Sequence, residues 1–473
     1  FVIAYFILLL AVAWYTSRNS NNDSFFIGNR NSNWLLVSFG MIGTSLSGVT
    51  FVSVPGTVGA NGFGYFQVVL GYFLGYFVVA FILLPLYYRL NLTSIYNYLL
   101  SRFGMTAYKT GALFFIISRV LGATARLYLV INVLQLFILN KLDISFALTT
   151  FVILLMILLY TFEGGVKTIV FTDTLQTSFM LIGLVVCIVY IMNSMGLSFS
   201  QTLSSLEEKN YTKILNTDIN SAGFFLKQVI GGAFITIGMT GLDQEMMQKN
   251  ISVKTLQGSQ KNMVTFSVVL VIVNLLFLLL GGLLYLFASS NNMGVKGDDL
   301  FPTVALQHLP PLVSVIFIIA LISALFPSAD GALTALTSSF CIDILGLKRD
   351  TLSDEKSKKK TRLTVHLTFA VIFFVCVMVF KWIDNKSIIG IILKVAGYTY
   401  GPLLALFSFG IFTKRKLAEN ASVVVICIAA PLLCALLDYI STAYSNYKIG
   451  IELLLINALI TFAGLWLISK KEV

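Results

Sequence analysis

Charge is scarce in this chain. Asp, Glu, Lys and Arg make up 11% of its 473 residues, against 57% hydrophobic residues. With a mean hydropathy of +0.89, it cannot be a soluble domain that hides its apolar residues in one core, and it belongs in a bilayer. Histidine is nearly missing. His308 and His366 lie far apart in the sequence, so a His-based zinc centre or proton relay finds no support. The five cysteines show no metal-ligand spacing, and Cys187, Cys376, Cys427 and Cys434 fall within apolar runs, where they read as ordinary membrane-helix residues. There is no Ser-His-Asp set, H-E-x-x-H motif or P-loop, which speaks against an enzyme. Pore-lining rings and a repeated filter are also missing, which speaks against a channel. The longest polar stretches, 196–222, 290–310 and 346–362, are too short for a soluble core of their own.

What the chain does have is long apolar runs. A spanning helix needs roughly 20 apolar residues, and about thirteen segments qualify. They begin near Phe1, Trp34, Phe63, Tyr108, Ile144, Phe171, Phe224, Met263, Leu312, Leu363, Ile388, Ser422 and Ile451. Runs such as "FVILLMILLY" and "FLLLGGLLYLF" are continuously apolar rather than alternating, which excludes a β-barrel. The first segment lacks a basic leader and an A-x-A cleavage site, so it reads as a span and not as a signal peptide. The net charge of +11 is explained by location rather than by nucleic acid. With the amino terminus outside, the cytoplasmic side receives Arg18, Arg30, Arg89, Arg102, Lys109, Lys167, Lys249, Lys254 and Lys261, the cluster at 348–362, the "KRK" at 414–416, and Lys470 with Lys471. That is about 21 of the basic residues, the positive-inside bias of a multi-pass inner (plasma) membrane protein with a cytoplasmic carboxyl terminus.

Two spans are irregular. The second contains "GMIGTSLSGVTFVSVPG" (40–56) and the seventh "GGAFITIGMTGLDQ" (231–244), and both are poor continuous helices. Gly and Ser in membrane helices also serve close packing, but a matching pair separated by four intact spans points to broken helices in two inverted five-helix repeats. The repeats cover about 33–195 and 223–411, flanked by helices at 1–17 and 418–470, in one transmembrane domain spanning 1–473. An unwound turn exposes carbonyl oxygens that hydrocarbon cannot satisfy, whereas a hard cation such as sodium can.

Five stretches, in this order, carry a family resemblance: "TSLSGVTFVSVPG" (44–56), "YTFEGGVKTIVFTDTLQ" (160–176), "GLDQEMMQKNISVKTLQGSQKN" (241–262), "SADGALTALTSSFCIDI" (328–344) and "YGPLLALFSFGIFTKR" (400–415). Together they resemble the sodium:solute symporters, the group that includes sodium/glucose cotransporters and bacterial sialic-acid and proline symporters. The resemblance implies an all-α membrane protein with a leucine-transporter-like inverted five-plus-five helix repeat and flanking helices. It also implies a sodium site between the second and ninth spans, formed by the carbonyls of Gly43, Leu46 and Ala324 and the hydroxyl of Ser328. Family members commonly have two adjacent hydroxyl residues there, whereas this chain has Pro327 before Ser328. Pro327 leaves the carbonyl of Ser323 without its helical donor.

In sialic-acid symporters a second sodium site uses hydroxyls on the ninth span and an aspartate in "WTD", and here "FTD" supplies Asp173. Asp330 stands where those relatives have serine, so Asp173, Asp330 and Ser328 form a candidate second cation site. Two facing carboxylates would repel unless a cation or a proton intervened. For Asp330, three readings stay open: a sodium ligand, a proton carrier or protonated carboxyl, and an ion pair with Lys394 or Arg126. Arg126 offers a fork for an anionic substrate, and Arg119, about two helical turns earlier on the same face, is its rival. The resemblance places Ser47, Thr50 and Thr236 in the substrate pocket, with Tyr72 or Gln67 lining the third span. Hexose-transporting relatives carry an acid on the third span and a lysine on the eighth. Here 63–88 has no Asp or Glu and 263–289 no Lys, which favours a carboxylated solute, sialic-acid-like or a monocarboxylate. The expected partners are thus one or two Na+ ions, a small organic solute and the lipid bilayer, with no nucleic acid. The expected activity is sodium-coupled import by alternating access, driven by about 2.3 kcal/mol per ion per 100 mV. A sodium/sugar symporter and proton coupling through Asp330 remain the alternatives.

Overall fold

The computed structural model describes residues 2–17, 22–162, 165–350, 354–383 and 388–471. Arg18, Glu163 and Gly164 of the quoted "YTFEGG", and residues 351–353 of the basic cluster lie outside them. Helices dominate, and among the described residues no strand forms beyond two isolated bridges.

Eight helices are long and apolar enough to cross a membrane: Phe66–Arg89, Met105–Phe137, Gly165–Ser194, Leu256–Ser290, Pro311–Ile344, Glu355–Ile383, Ile392–Phe412 and Ser422–Tyr444. Two more qualify as bent pairs, Trp34–Ser45 with Gly48–Asn61 and Phe225–Gly241 with Gln244–Ile251, bent by 56° and 64°. Three shorter apolar helices, Ala4–Ser17, Phe146–Thr161 and Leu453–Ile468, complete the set. In chain order these are the first to the thirteenth helices below, and the bent ones are the second and seventh. Each bent helix is followed by four unbent ones, so two blocks of equal helix content follow one another, Trp34–Ser194 and Phe225–Phe412.

Helix starts follow local chemistry. Asn33 accepts the Leu35 N–H at 2.8 Å ahead of the second helix, and the hydroxyls of Ser145 and Thr255 accept N–H groups at the starts of the fifth and eighth. These side chains satisfy donors that a helix terminus leaves open. The third helix lies along the first half of the seventh, the sixth packs on the ninth and on the first half of the second, and the eighth packs on the second half of the second. The broken helices are therefore enclosed by intact ones.

Contact between the third and seventh helices is backbone to backbone. A Cβ on Gly71 would overlap the Val229 carbonyl, one on Gly75 the Ala233 carbonyl, and one on Gly232 would lie 2.5 Å from the Val68 carbonyl. Small residues allow this approach where no water-driven force pulls helices together. Gly232→Ala should therefore lower the thermal midpoint of the detergent-solubilised protein, overpacking costing about 1–3 kcal/mol. Gly122→Ala, on the fourth helix with no atom within 4 Å of the added methyl, should leave it unchanged or raise it, because Ala is the better helix former by about 1 kcal/mol.

Candidate functional site

The two breaks are built differently. In the second helix, Leu46 and Ser47 leave helical geometry, with Ser47 at φ −23°, ψ 171°. The Leu46 N–H still reaches Ile42 at 2.8 Å and the Phe51 N–H reaches the Ser47 carbonyl at 3.2 Å, but among the described residues the carbonyls of Gly43 and Leu46 receive no donor. In the seventh helix, a wide turn at Ile237–Gly241 leads into Leu242 and Asp243. There the Gly241 carbonyl accepts the Tyr87 hydroxyl at 2.7 Å and the Leu242 carbonyl the Tyr96 hydroxyl at 2.9 Å. The Asp243 carboxylate accepts the N–H groups of Glu245 and Met246 at 2.9 and 3.3 Å, capping the second half. Protein donors thus reach the carbonyls of Gly241 and Leu242, whereas among the described residues those of Gly43 and Leu46 receive none.

Gly43 and the ninth helix meet directly, because a Cβ on Gly43 would lie 3.3 Å from Pro327 and would overlap the Thr177 hydroxyl. Thr177 itself accepts the Gly43 N–H at 3.1 Å. Ser328, next to Pro327, donates its hydroxyl proton to the Leu325 carbonyl at 2.9 Å, which leaves its oxygen lone pairs for another partner. Ala324 and Ser328 are buried. Among the described residues no cluster of three or more His, Cys, Asp or Glu side chains forms a metal site. A cation here would rest on carbonyls and hydroxyls, a donor set suited to a hard monovalent ion such as sodium.

The acids of the candidate second site have protein partners. Asp173, fully buried, receives the Lys249 ammonium at 2.7 Å and the Thr44 hydroxyl at 3.3 Å on one oxygen. Its other oxygen has no partner. Asp330, also fully buried, receives the Tyr160 hydroxyl at 2.7 Å and the N–H of Gly331. Neither basic residue weighed for Asp330 pairs with it: Lys394 sits 2.6 Å from Asp438, and Arg126 faces a cavity.

That cavity, of about 100 Å³, lies at the break in the second helix and is lined by residues of the second, third, fourth, seventh, eighth and eleventh helices. It brings together Ser47, Thr50, Tyr72, Arg126 and Thr236, and adds Tyr65, Tyr76, Asn274 and Arg119. Gln67 is not part of it. Its amide bonds the carbonyls of Gly64 and Gly223 at 3.0 and 3.4 Å and accepts the Asn216 N–H at 3.1 Å, in the wall of a larger cavity of about 780 Å³. Tyr65 and Leu393 line both cavities, so they form the partition between them.

The two arginines have different partners. Arg119 is held by Glu245, in the second half of the seventh helix, and, at 3.7 Å, by Asp243 at its bend. Arg126 is half-buried and forms no hydrogen bond or ion pair among the described residues. Sequence reading missed Asp243, Glu245 and Lys249 as buried charges; Lys249, placed on the cytoplasmic side by the charge distribution, is 3% exposed. The signal was present in "GLDQEMMQKN", but those charges follow the helix break and resemble an ordinary polar exit from the membrane.

Residues 25–427 match the sodium:solute symporter family. The sodium/sialic acid symporter NanT of Aliivibrio fischeri is 24% identical over 447 residues, covering 91% of this chain and 86% of the relative. The sodium/sialic acid symporter SiaT of Proteus mirabilis is 22% identical over 438 residues, covering 90% and 87%. The rabbit (Oryctolagus cuniculus) sodium/glucose cotransporter 1 is 21% identical over 472 residues, covering 88% and 68%. A solved structure of a Na+-coupled sialic acid symporter, substrate-bound and outward-open, superimposes with a TM-score of 0.84 at 19% identity, covering 99% of this chain and 98% of that one. The fold is thus the leucine-transporter-like one that the family resemblance implied, and the chain belongs to the sodium:solute symporter family, coupling the transport of a small solute to sodium.

Proposed function

We propose that this protein imports a carboxylated sugar of the sialic-acid kind, or another small carboxylate, together with sodium. The observation that carries the reading is Arg126, a guanidinium facing the central cavity without an acid of its own. An arginine left so in a membrane protein is costly and marks a ligand path, and its planar fork fits a carboxylate. Arg119 does not compete for this role, because Glu245 and Asp243 already hold it. Ser47, Thr50, Thr236 and Asn274 supply hydroxyl and amide groups for the rest of a polar solute, and Tyr72 and Tyr76 supply aromatic surface. The relatives named for sialic acid support the same substrate class.

Sodium enters at the bare carbonyls of Gly43 and Leu46, with the carbonyl of Ala324 and the hydroxyl of Ser328 across from them. Bound there, it holds the break in the shape that presents Ser47 and Thr50 to the cavity, so ion and solute stabilise one occluded arrangement. The first repeat at about 33–195 and the second at about 223–411 then rock about this shared centre. The protein spans the inner (plasma) membrane with its amino terminus outside. In that orientation the larger cavity is the entrance, and Tyr65 and Leu393 stand between it and the binding site.

Uptake into liposomes of labelled sialic acid, monocarboxylates, neutral sugars and amino acids, under a sodium gradient, a proton gradient or none, tests the reading. Sodium-driven uptake of a carboxylated solute is expected, and uptake indifferent to sodium would reject the proposal. Arg126→Gln should raise the KM for the carboxylated solute about 10- to 100-fold, the worth of a charge-assisted contact of about 1.5–3 kcal/mol. Ser328→Ala should raise the half-saturating sodium concentration about tenfold, equivalent to about 1.4 kcal/mol, with little change in KM once sodium is saturating.

A further inference from the structure

The cation beside Asp173 is part of the chain. Lys249 lies in Gln244–Ile251, the second half of the seventh helix, and is 3% exposed. Its ammonium has three N–H donors, and three oxygens surround it: Thr44 Oγ1 at 2.6 Å, Asp173 Oδ2 at 2.7 Å and Glu245 Oε1 at 3.5 Å. These belong to the second, sixth and seventh helices. A buried ammonium persists only when paired in this way, and a buried carboxylate needs the same compensation. A sodium ion approaching Asp173 would meet a like charge already seated there, in a region where repulsion is weakly screened.

Lys249 also connects the two ends of the transport site. Thr44 sits between Gly43 and Leu46, whose carbonyls are bare, while Glu245 shares its carboxylate between Lys249 and Arg119, which lines the central cavity. One ammonium therefore holds the sodium side of one broken helix against the solute side of the other.

We propose that Lys249 is a resident counter-ion that takes the place of a second coupling sodium at Asp173, so that one sodium ion binds per chain. It acts as a positioning residue, tying the break of the second helix to the charged second half of the seventh. This rests on the sodium-symport reading above and adds the ion count and the residue that sets it.

Equilibrium binding of radioactive sodium to the purified full-length protein in detergent, without solute, tests the inference. Wild type should bind one ion per chain. Lys249→Met bares Asp173 and should bind two, whereas Lys249→Arg, which keeps the tethered charge, should bind one. The double variant Asp173→Asn with Lys249→Met removes the pair together and should fold and bind one ion even if the single Met variant does not fold. Wild type binding two ions would overturn the proposal while leaving the symport reading intact. So would a monodisperse Lys249→Met protein that still binds one, or an Asp173→Asn protein that loses the only ion. No bound sodium at all would instead remove the symport reading on which the proposal stands.

Discussion

A backbone carbonyl in hydrocarbon has no water to turn to, and everything central in this protein follows from how that constraint is met at two breaks. A helix satisfies its own carbonyls, so breaking one inside the membrane requires a substitute donor, a cation or a cavity that admits water. At Gly241 and Leu242 the substitute is tyrosine hydroxyl, from Tyr87 and Tyr96. At Gly43 and Leu46 no protein donor arrives among the described residues. The two breaks thus differ in their partners, although both helices begin their blocks in the same way.

The charges around the breaks follow a second constraint. Asp173, Asp243 and Glu245 are buried with Lys249 and Arg119 in one connected network. Such groups are tolerable only as a set, because removing one member strands the other in a low dielectric. The network leaves Arg126 without an acid of its own. That asymmetry between two arginines on the same helix leaves one guanidinium of the cavity wall without a carboxylate partner.

Much of the architecture was legible from composition. Apolar run length located the helices, and the Gly, Ser and Pro crowding in 40–56 and 231–244 marked both breaks, which fall at Leu46–Ser47 and Leu242–Asp243. Five residues chosen from the sequence as substrate-binding, Ser47, Thr50, Tyr72, Arg126 and Thr236, share one cavity. Gln67 does not, because the segment at 216–223 folds over the start of the third helix and takes up its amide. Nothing local in "GYFQVVL" reports that loop.

The sequence by itself determined that the chain lies in a membrane, that its helices break in matching places and that small residues crowd those breaks. These are properties of runs of residues, and the bilayer reads runs. Tertiary structure decided the partners: that Lys249 pairs with Asp173, that Tyr160 rather than a basic residue serves Asp330, and that Arg119 is held while Arg126 is not. The reason is separation along the chain. A charge is satisfied by whichever group the fold brings within about 3 Å, and here those groups come from helices some 76 to 170 residues away.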